Sequence, residues 1–300
     1  MEFDKIMKKR SLVSILLILS IVLILSLTAC SGLFGNSNPS RYYIDIGQVE
    51  DAGVASIVAN NSIASCVRVI AEFKRNNKVV STSASSGFVI TEDGYVLTNR
   101  HCVIRYYSTD SDTPSSSADT PMSANYSVVF ADNIQYTATL VDWCTTADIA
   151  VLRIDKVSNF PLTSEKTYEP LVFETQQELY YGQRVYTIGN PENMGLMLSE
   201  MMIAMPLVRF RKKDENDNVI EDAFLSTVLD GNINHGNSGG PLINVYSRVC
   251  GIVYARIDGT KNDVYGIGCS IPTSEIISFL DSMSVKINYK TTPVSSGKAK

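Results

Sequence analysis

The sequence predicts an all-β protein built as two similar halves with one closing helix. Three observations carry this. Short apolar runs rich in β-branched and aromatic residues recur along most of the chain, turn-forming residues bound them, and only one segment near the C-terminus reads as a helix. In the first half the runs are Cys66–Phe73, Val79–Ser81, Gly87–Ile90, Tyr95–Thr98, Ser127–Phe130, Thr137–Val141 and Ile149–Ile154. Asn76-Asn77 and Glu92-Asp93-Gly94 mark turns between them. Even spacing of this kind belongs to a barrel or a sandwich. Thr109–Ser123, rich in Ser, Thr, Asp and Pro, reads as a solvated loop.

After Phe160-Pro161 the second series begins: Leu171–Phe173, Arg184–Ile188, Met197–Met205, Phe224–Thr227, Pro241–Val245, Val249–Tyr254 and Tyr265–Ile271. The polar stretch 211–222 reads as a hairpin tip. Pro272-Thr273-Ser274-Glu275 leads into a short helix over Ile276–Met283, with Thr273 or Ser274 as its cap. From Thr291 onward the chain reads as a disordered tail.

At 300 residues, 45% apolar and 19% charged, the chain has the composition of a globular protein with enough apolar surface for one large core or two moderate ones. A net charge of −5 without a basic stripe excludes a nucleic-acid partner. The N-terminus is different in kind. Lys5, Lys8, Lys9 and Arg10 precede an apolar run from Leu12 to Ala29, the pattern of an export signal. The run ends in Leu27-Thr28-Ala29-Cys30, which resembles the lipobox of bacterial lipoproteins, where the cysteine is acylated and becomes the mature N-terminus. The small residues before Cys30 favour that reading over an uncleaved transmembrane anchor. Either way the protein is exported and tethered to the cell membrane on its extracytoplasmic face. Residues 1–29 carry four positive and two negative charges, so a mature chain at −7 would rely on lipid rather than on surface charge. With Cys30 lipidated, five of the six cysteines remain (66, 102, 144, 250 and 269), so at least one is unpaired. Residues 30–60 read as a tether into the fold.

The chemistry centres on Asn232–Leu242, where glycines crowd around one serine. A serine hydroxyl attacks a carbonyl only if a base takes its proton, and the oxyanion that forms needs backbone N–H groups aimed at it. Glycine permits that backbone geometry and clears space for a substrate. Gly236-Asn237-Ser238-Gly239-Gly240 therefore reads as a nucleophile set in its own oxyanion hole, against the plainer reading of a tight Gly/Ser turn. The chain has two histidines. His235 shares the serine's loop and reads as a polar residue on the rim. His101 ends a strand and can be held rigidly, as a general base must be. Asp142, Asp148 and Asp155 are candidates to orient the imidazole, and Asp148 is favoured because Ala147 and Ile149 enclose it.

Ser86-Gly87-Phe88-Val89-Ile90, Thr98-Asn99-Arg100-His101, Ala147–Leu152, Ile188-Gly189-Asn190-Pro191, Gly236–Leu242 and Gly266–Pro272 occur in that order. Together they resemble the trypsin-fold serine proteases of the HtrA (Deg) type over roughly residues 62–283. The resemblance implies two six-stranded antiparallel β-barrels within a protease domain spanning 61–285. The N-barrel would occupy about 61–165, the C-barrel about 170–272 and the closing helix 274–283, followed by a tail over 286–300. It implies a triad of His101, Asp148 and Ser238, an oxyanion hole at Gly236, Asn237 and Ser238, and a cleft that takes an extended or unfolded polypeptide. Neither a cofactor nor a metal is implied. Asn237 stands where digestive relatives carry an aspartate, which argues against activation by a newly cut N-terminus. The sequence stops soon after the closing helix, so no PDZ domain is expected. Cys102 finds no disulfide partner in Ser83–Ile90, while Cys250 and Cys269 are expected on neighbouring strands, bonded or as two packed thiols. Met194–Met205 read as packing residues first and substrate contacts second.

The implied primary pocket is lined by Asn232, Ile233 and Asn234 before the nucleophile and by Ala255 and Cys269 opposite. None of these is charged, so a buried Lys or Arg would lack a counter-charge, and small or medium apolar side chains are preferred. The function expected is a membrane-anchored serine endopeptidase. The alternative is a catalytically silent member of the same fold that binds peptides or partner proteins. An α/β-hydrolase esterase is excluded by the order His, Asp, Ser.

Overall fold

The computed structural model describes residues 53–106, 121–155, 167–213, 219–256 and 266–293. The signal segment with Cys30, the tether up to residue 52, residues 109–120 of the expected loop, residues 214–218 of the expected hairpin tip and the tail from 294 lie outside the described residues. Among the described residues no helix is long and apolar enough to cross a membrane.

The first six strands are β1 (Cys66–Arg75), β2 (Lys78–Val89), β3 (Tyr95–Thr98), β4 (Ser123–Phe130), β5 (Gln135–Trp143) and β6 (Ala150–Ile154). They close into an antiparallel barrel in the order β1-β2-β3-β6-β5-β4. Alternation decides which face closes inward: Val67, Val69, Ala71 and Phe73 of β1 are all buried, and Arg68, Ile70, Glu72 and Lys74 between and after them are more exposed. The β1–β2 turn uses Asn76 and Asn77 at φ 50° and 62°, a left-handed pair that asparagine tolerates and that matches the twist of a two-residue hairpin. β2 runs twelve residues where the sequence showed two separate runs. Its middle, Ser81–Ser86, is small and polar, so apolar alternation does not reveal it, and pairing along β1 supplies the order instead.

After β7 (Val172–Phe173), the second barrel is formed by β8 (Arg184–Gly189), β9 (Met197–Lys213), β10 (Val219–Asp230), β11 (Pro241–Asn244), β12 (Arg248–Arg256) and β13 (Ile267–Pro272). The order is β11-β8-β9-β10-β13-β12, and pairing of β11 with β12 closes the ring. The two six-stranded barrels implied by the resemblance are thus present. β7 is not one of the six; it lies parallel along the start of β12.

Helix α1 (Val54–Ser62) precedes β1, α2 (Arg100–Val103) is a single turn after β3, and α3 (Thr273–Ser282) closes the chain against the barrels. The start of α3 departs from expectation. Pro272 occupies the cap position with no side-chain bond, and Thr273 turns its hydroxyl to the Val249 carbonyl at 3.0 Å, tying the helix to β12. A core of large side chains, including Phe88, Leu97, Ile149, Tyr186, Ile188 and Ile271, joins the two barrels and α3.

Both ends of the described chain are more ordered than the sequence indicates. Val58 of α1 is wholly buried in the shared core, where the tether was expected to end. Past α3, Ile287 is buried, Tyr289 meets Phe173 edge-on with ring centroids 5.6 Å apart, and β14 (Lys290–Thr291) pairs in parallel with β7. Isolated apolar residues in polar surroundings give no periodic signal, and only the tertiary groove they fill makes them strand and core.

Candidate active site

β3 ends at Thr98, and the buried Asn99 that follows donates from its side chain to the Asp148 carbonyl at 2.7 Å. This fastens the start of α2 to the loop before β6. Cys102 and Val103 turn into the first barrel, leaving His101 at the surface with its side chain 49% exposed. Asp148 grips His101 twice. Its Oδ1 accepts the His101 backbone N–H at 2.9 Å, and its Oδ2 lies 2.5 Å from the ring Nδ1. The Asp148 side chain is only 14% exposed. In the neutral ring, a carboxylate at that distance keeps the proton on Nδ1 and leaves Nε2 as the acceptor. The other two acids are occupied elsewhere: Asp142 accepts the N–H of Trp143, and Asp155 the hydroxyl of Thr139. Desolvation of the ring works to lower the His101 pKa, but the sulfur of Cys102 and the bonded carboxylate of Asp148 outweigh it and raise it well above the usual histidine value.

Ser238 belongs to a tight loop between β10 and β11. Its neighbours are glycines for reasons visible in the structure. Gly236 has φ +94°, and a Cβ there would stand 2.1 Å from the Asn190 carbonyl oxygen. Gly239 has φ +86°, and a Cβ there would stand 2.1 Å from the Ser86 carbonyl oxygen. The His235 carbonyl accepts the N–H of Glu192 at 2.7 Å. In a trans peptide the carbonyl and the N–H point in opposite directions, so the Gly236 N–H is turned away from Glu192. Among the described residues neither Gly236 nor Ser238 donates its backbone N–H to a partner. Asn237, by contrast, donates its N–H to the Asn234 carbonyl at 3.1 Å and buries its side chain against Gly189, so it does not offer the oxyanion donor expected of it.

The three residues singled out for catalysis meet in one place. Cys102 Sγ lies 3.5 Å from His101 Nε2 and 3.9 Å from the Ser238 carbonyl oxygen. The Ser238 hydroxyl itself donates to the Tyr254 carbonyl at 3.3 Å and makes no hydrogen bond to Nε2. The imidazole and the Ser238 loop are therefore neighbours through Cys102, with no hydrogen bond between ring and hydroxyl. His235 lies exposed on the rim, and its carbonyl serves the loop.

The expected pocket residues divide. Asn232 and Asn234 are exposed beside the Ser238 turn, and Asn232 Oδ1 faces Gly266. Ile233 is a correction: it is 5% exposed and packs in the core of the second barrel against Gly268, because the loop that follows β10 turns it inward. Cys269 is buried behind Tyr254, whose hydroxyl bonds Ser226 at 3.0 Å. The side chain of Ala255 lies outside the described residues. All five cysteines from Cys66 to Cys269 are free thiols, and burial pushes Cys250 up to about 12 and Cys269 up to about 11, which suits packing rather than reactivity. The methionines also differ from expectation. Met201 alone packs inward, while Met194, Met197, Met202 and Met205 are exposed.

Sequence reading missed Ser86, Asn190, Glu192 and Tyr254, whose contacts with the serine loop are made across the fold. Only the short segments Ser86–Ile90 and Ile188–Pro191 hinted at them.

Residues 85–252 match the family model of the trypsin-like peptidase domain. The probable periplasmic serine endoprotease DegP-like of Rhizobium meliloti is 30% identical over 198 residues, covering 66% of this chain and 32% of that protein. The serine endoprotease DegS of Haemophilus influenzae is 29% identical over 206 residues, covering 67% of this chain and 50% of its own. The chain thus spans between a third and a half of the length of these relatives. Among solved structures, the active form of the Rv3671c protease from M. tuberculosis superposes with a TM-score of 0.57 at 22% identity, over 83% of this chain and 94% of that one, a likeness of fold.

Proposed function

The chain belongs to the trypsin-like peptidase family, and from that membership we propose that it is a serine endopeptidase in which His101, Asp148 and Ser238 act as one catalytic unit. The observation that carries the reading is the double grip of Asp148 on His101 beside a glycine-framed serine, with the N–H groups of Gly236 and Ser238 left without a partner among the described residues. Catalysis begins with rotation of the Ser238 hydroxyl from the Tyr254 carbonyl towards Nε2. The imidazole takes the hydroxyl proton as Oγ adds to the scissile carbonyl, and Asp148 holds the ring and offsets its new charge. The N–H groups of Gly236 and Ser238 receive the oxyanion. The imidazolium then protonates the leaving amine, and a water attacking the acyl-enzyme repeats the sequence in reverse.

The substrate is an extended or unfolded polypeptide lying between the barrels. Asn232 and Asn234 flank the primary pocket without charge, which favours small or medium apolar side chains before the cleaved bond. Digestion of a peptide library tests both points. The wild type should cleave after residues such as Val, Ala, Ile or Leu and Ser238→Ala should cleave nothing; dominant cleavage after Lys or Arg would refute the pocket, and an active Ser238→Ala the nucleophile. The catalytically silent alternative draws on the Ser238–Tyr254 bond, and the same digest separates the two.

The relatives named as periplasmic fit an extracytoplasmic location, and the sequence around Cys30 adds a lipid anchor in the cell membrane. The mass of the mature N-terminus tests the anchor: an acylated Cys30 is expected, and an intact 1–29 segment would favour a transmembrane helix.

A further inference from the structure

Ser86 lies on β2 of the first barrel, is wholly buried, and donates both its N–H and its hydroxyl to the serine loop of the second. Its N–H donates to the Ser238 carbonyl at 2.9 Å. Its hydroxyl donates to the Gly236 carbonyl at 2.6 Å and accepts the N–H of Asn190 at 2.8 Å. Its carbonyl accepts the hydroxyl of Thr98, at the end of the strand that leads to His101, at 2.8 Å. We propose that Ser86 is a positioning residue for the oxyanion site, fixing the peptide planes on either side of the Ser238 N–H.

The four consecutive peptide units from His235 to Gly239 each have an anchored carbonyl. The His235 carbonyl is held by Glu192, that of Gly236 by the Ser86 hydroxyl, that of Asn237 by the Gly240 N–H, and that of Ser238 by the Ser86 N–H. Ser86 thus supplies two anchors directly. It supports a third through Asn190, which begins the turn carrying Glu192. Glycines make the approach possible: a Cβ on Gly189 would stand 3.1 Å from the Ser86 hydroxyl, and one on Gly239 2.1 Å from its carbonyl. A buried hydroxyl with both roles filled is costly to remove, because the Gly236 carbonyl and the Asn190 N–H both lose their partner. An oxyanion donor works only if it is aimed before charge develops. Loss of the hydroxyl therefore falls on the transition state more than on the bound substrate.

This inference rests on the endopeptidase reading, and the test separates the two. Wild type, Ser86→Ala and Gly87→Ala are compared for kcat, KM and inhibition by a peptide aldehyde, each per folded molecule. The aldehyde forms a tetrahedral adduct whose oxygen needs the oxyanion site. Gly87→Ala is the control for simple strain in β2: its Cβ would meet Val69 at 2.8 Å and the Leu97 carbonyl at 2.9 Å, away from the serine loop. For Ser86→Ala we expect kcat to fall about 10- to 100-fold, KM to stay within about threefold, and the aldehyde constant to weaken in step with kcat/KM. Gly87→Ala should lower the melting temperature yet keep kcat and the aldehyde constant within about threefold. If Ser86→Ala does not fold, Ser86→Cys, which fills the space with a weak donor, should show the same split. Undiminished kcat in Ser86→Ala, loss of kcat without weaker aldehyde binding, or an equal loss in Gly87→Ala overturns the role of Ser86 alone. Absence of hydrolysis by the wild type overturns the endopeptidase reading and this inference together.

Discussion

Replacing Gly236 by alanine probes the electrophilic half of the site without touching the triad. The added methyl would lie 2.1 Å from the Asn190 carbonyl oxygen, 3.1 Å from its carbon and 3.3 Å from the Glu192 nitrogen. All three are backbone atoms, so no side-chain rotation relieves the clash. The φ of +94° adds left-handed strain, about 1–2 kcal/mol for an L-residue. The loop has two ways out. It can push the Asn190–Asn193 turn outward, or it can swing the His235–Gly236 peptide to negative φ. Both break the Glu192–His235 hydrogen bond and both turn the Gly236 N–H off its line. Losing one of two oxyanion donors costs about 10²–10³ in kcat, or roughly 3–4 kcal/mol in the transition state, with KM little changed. Gly195→Ala is the matched control, since that residue has φ +112° with nothing within 4 Å of a Cβ. It should lower stability by about 1 kcal/mol in urea denaturation and leave kcat within about threefold. Steady-state hydrolysis of a peptide substrate by both variants decides the matter. A Gly236→Ala enzyme with kcat within about tenfold of wild type would refute the placement of the oxyanion donor.

The raised His101 pKa sets the acid limb of the pH profile: since only the neutral imidazole accepts the Ser238 proton, kcat/KM should keep rising above about pH 6.5. Asp148→Asn should lower the plateau and move that limb to lower pH, and an unmoved limb would contradict the pairing. The sign for stability follows from the same raised pKa: the contribution of the His101–Asp148 pair is complete below the unfolded value of about 6.5 and is lost as pH rises through the native one. Val58→Ala removes two buried methyl groups from α1, so urea denaturation should show a loss of about 2 kcal/mol; no loss would mean that α1 is not part of the core.

What the sequence made legible followed from periodicity and from residues whose chemistry is local. The inward residues of β1 alternate cleanly, so strand and face could both be read, and Gly236–Gly240 declares itself because so many glycines have few other uses. Asp148 could be preferred to Asp142 and Asp155 only through its apolar neighbours. The pairing with His101 is a tertiary fact, made by the Asn99 bond to the Asp148 carbonyl. Ile233 was misplaced because adjacency to Ser238 says nothing about which way a loop side chain turns. The Ser81–Ser86 stretch of β2 was illegible as strand for want of apolar residues, and the contacts of Ser86 with the second barrel were hidden with it, since Gly236 and Asn190 lie more than 100 positions away along the chain. Helix α1 and the return past α3 escaped notice for a related reason: a few residues filling a groove leave no pattern.

In the proposed catalytic unit Ser238 is a nucleophile activated by His101. Labelling with a fluorophosphonate, followed by mapping of the adduct, tests it most directly. A single adduct is expected on Ser238 in the wild type, none in Ser238→Ala, and labelling slowed by several orders of magnitude in His101→Ala, because triad members act as a unit. A wild-type protein that stays unlabelled, an adduct on another residue, or a His101→Ala variant labelled at the wild-type rate would contradict it.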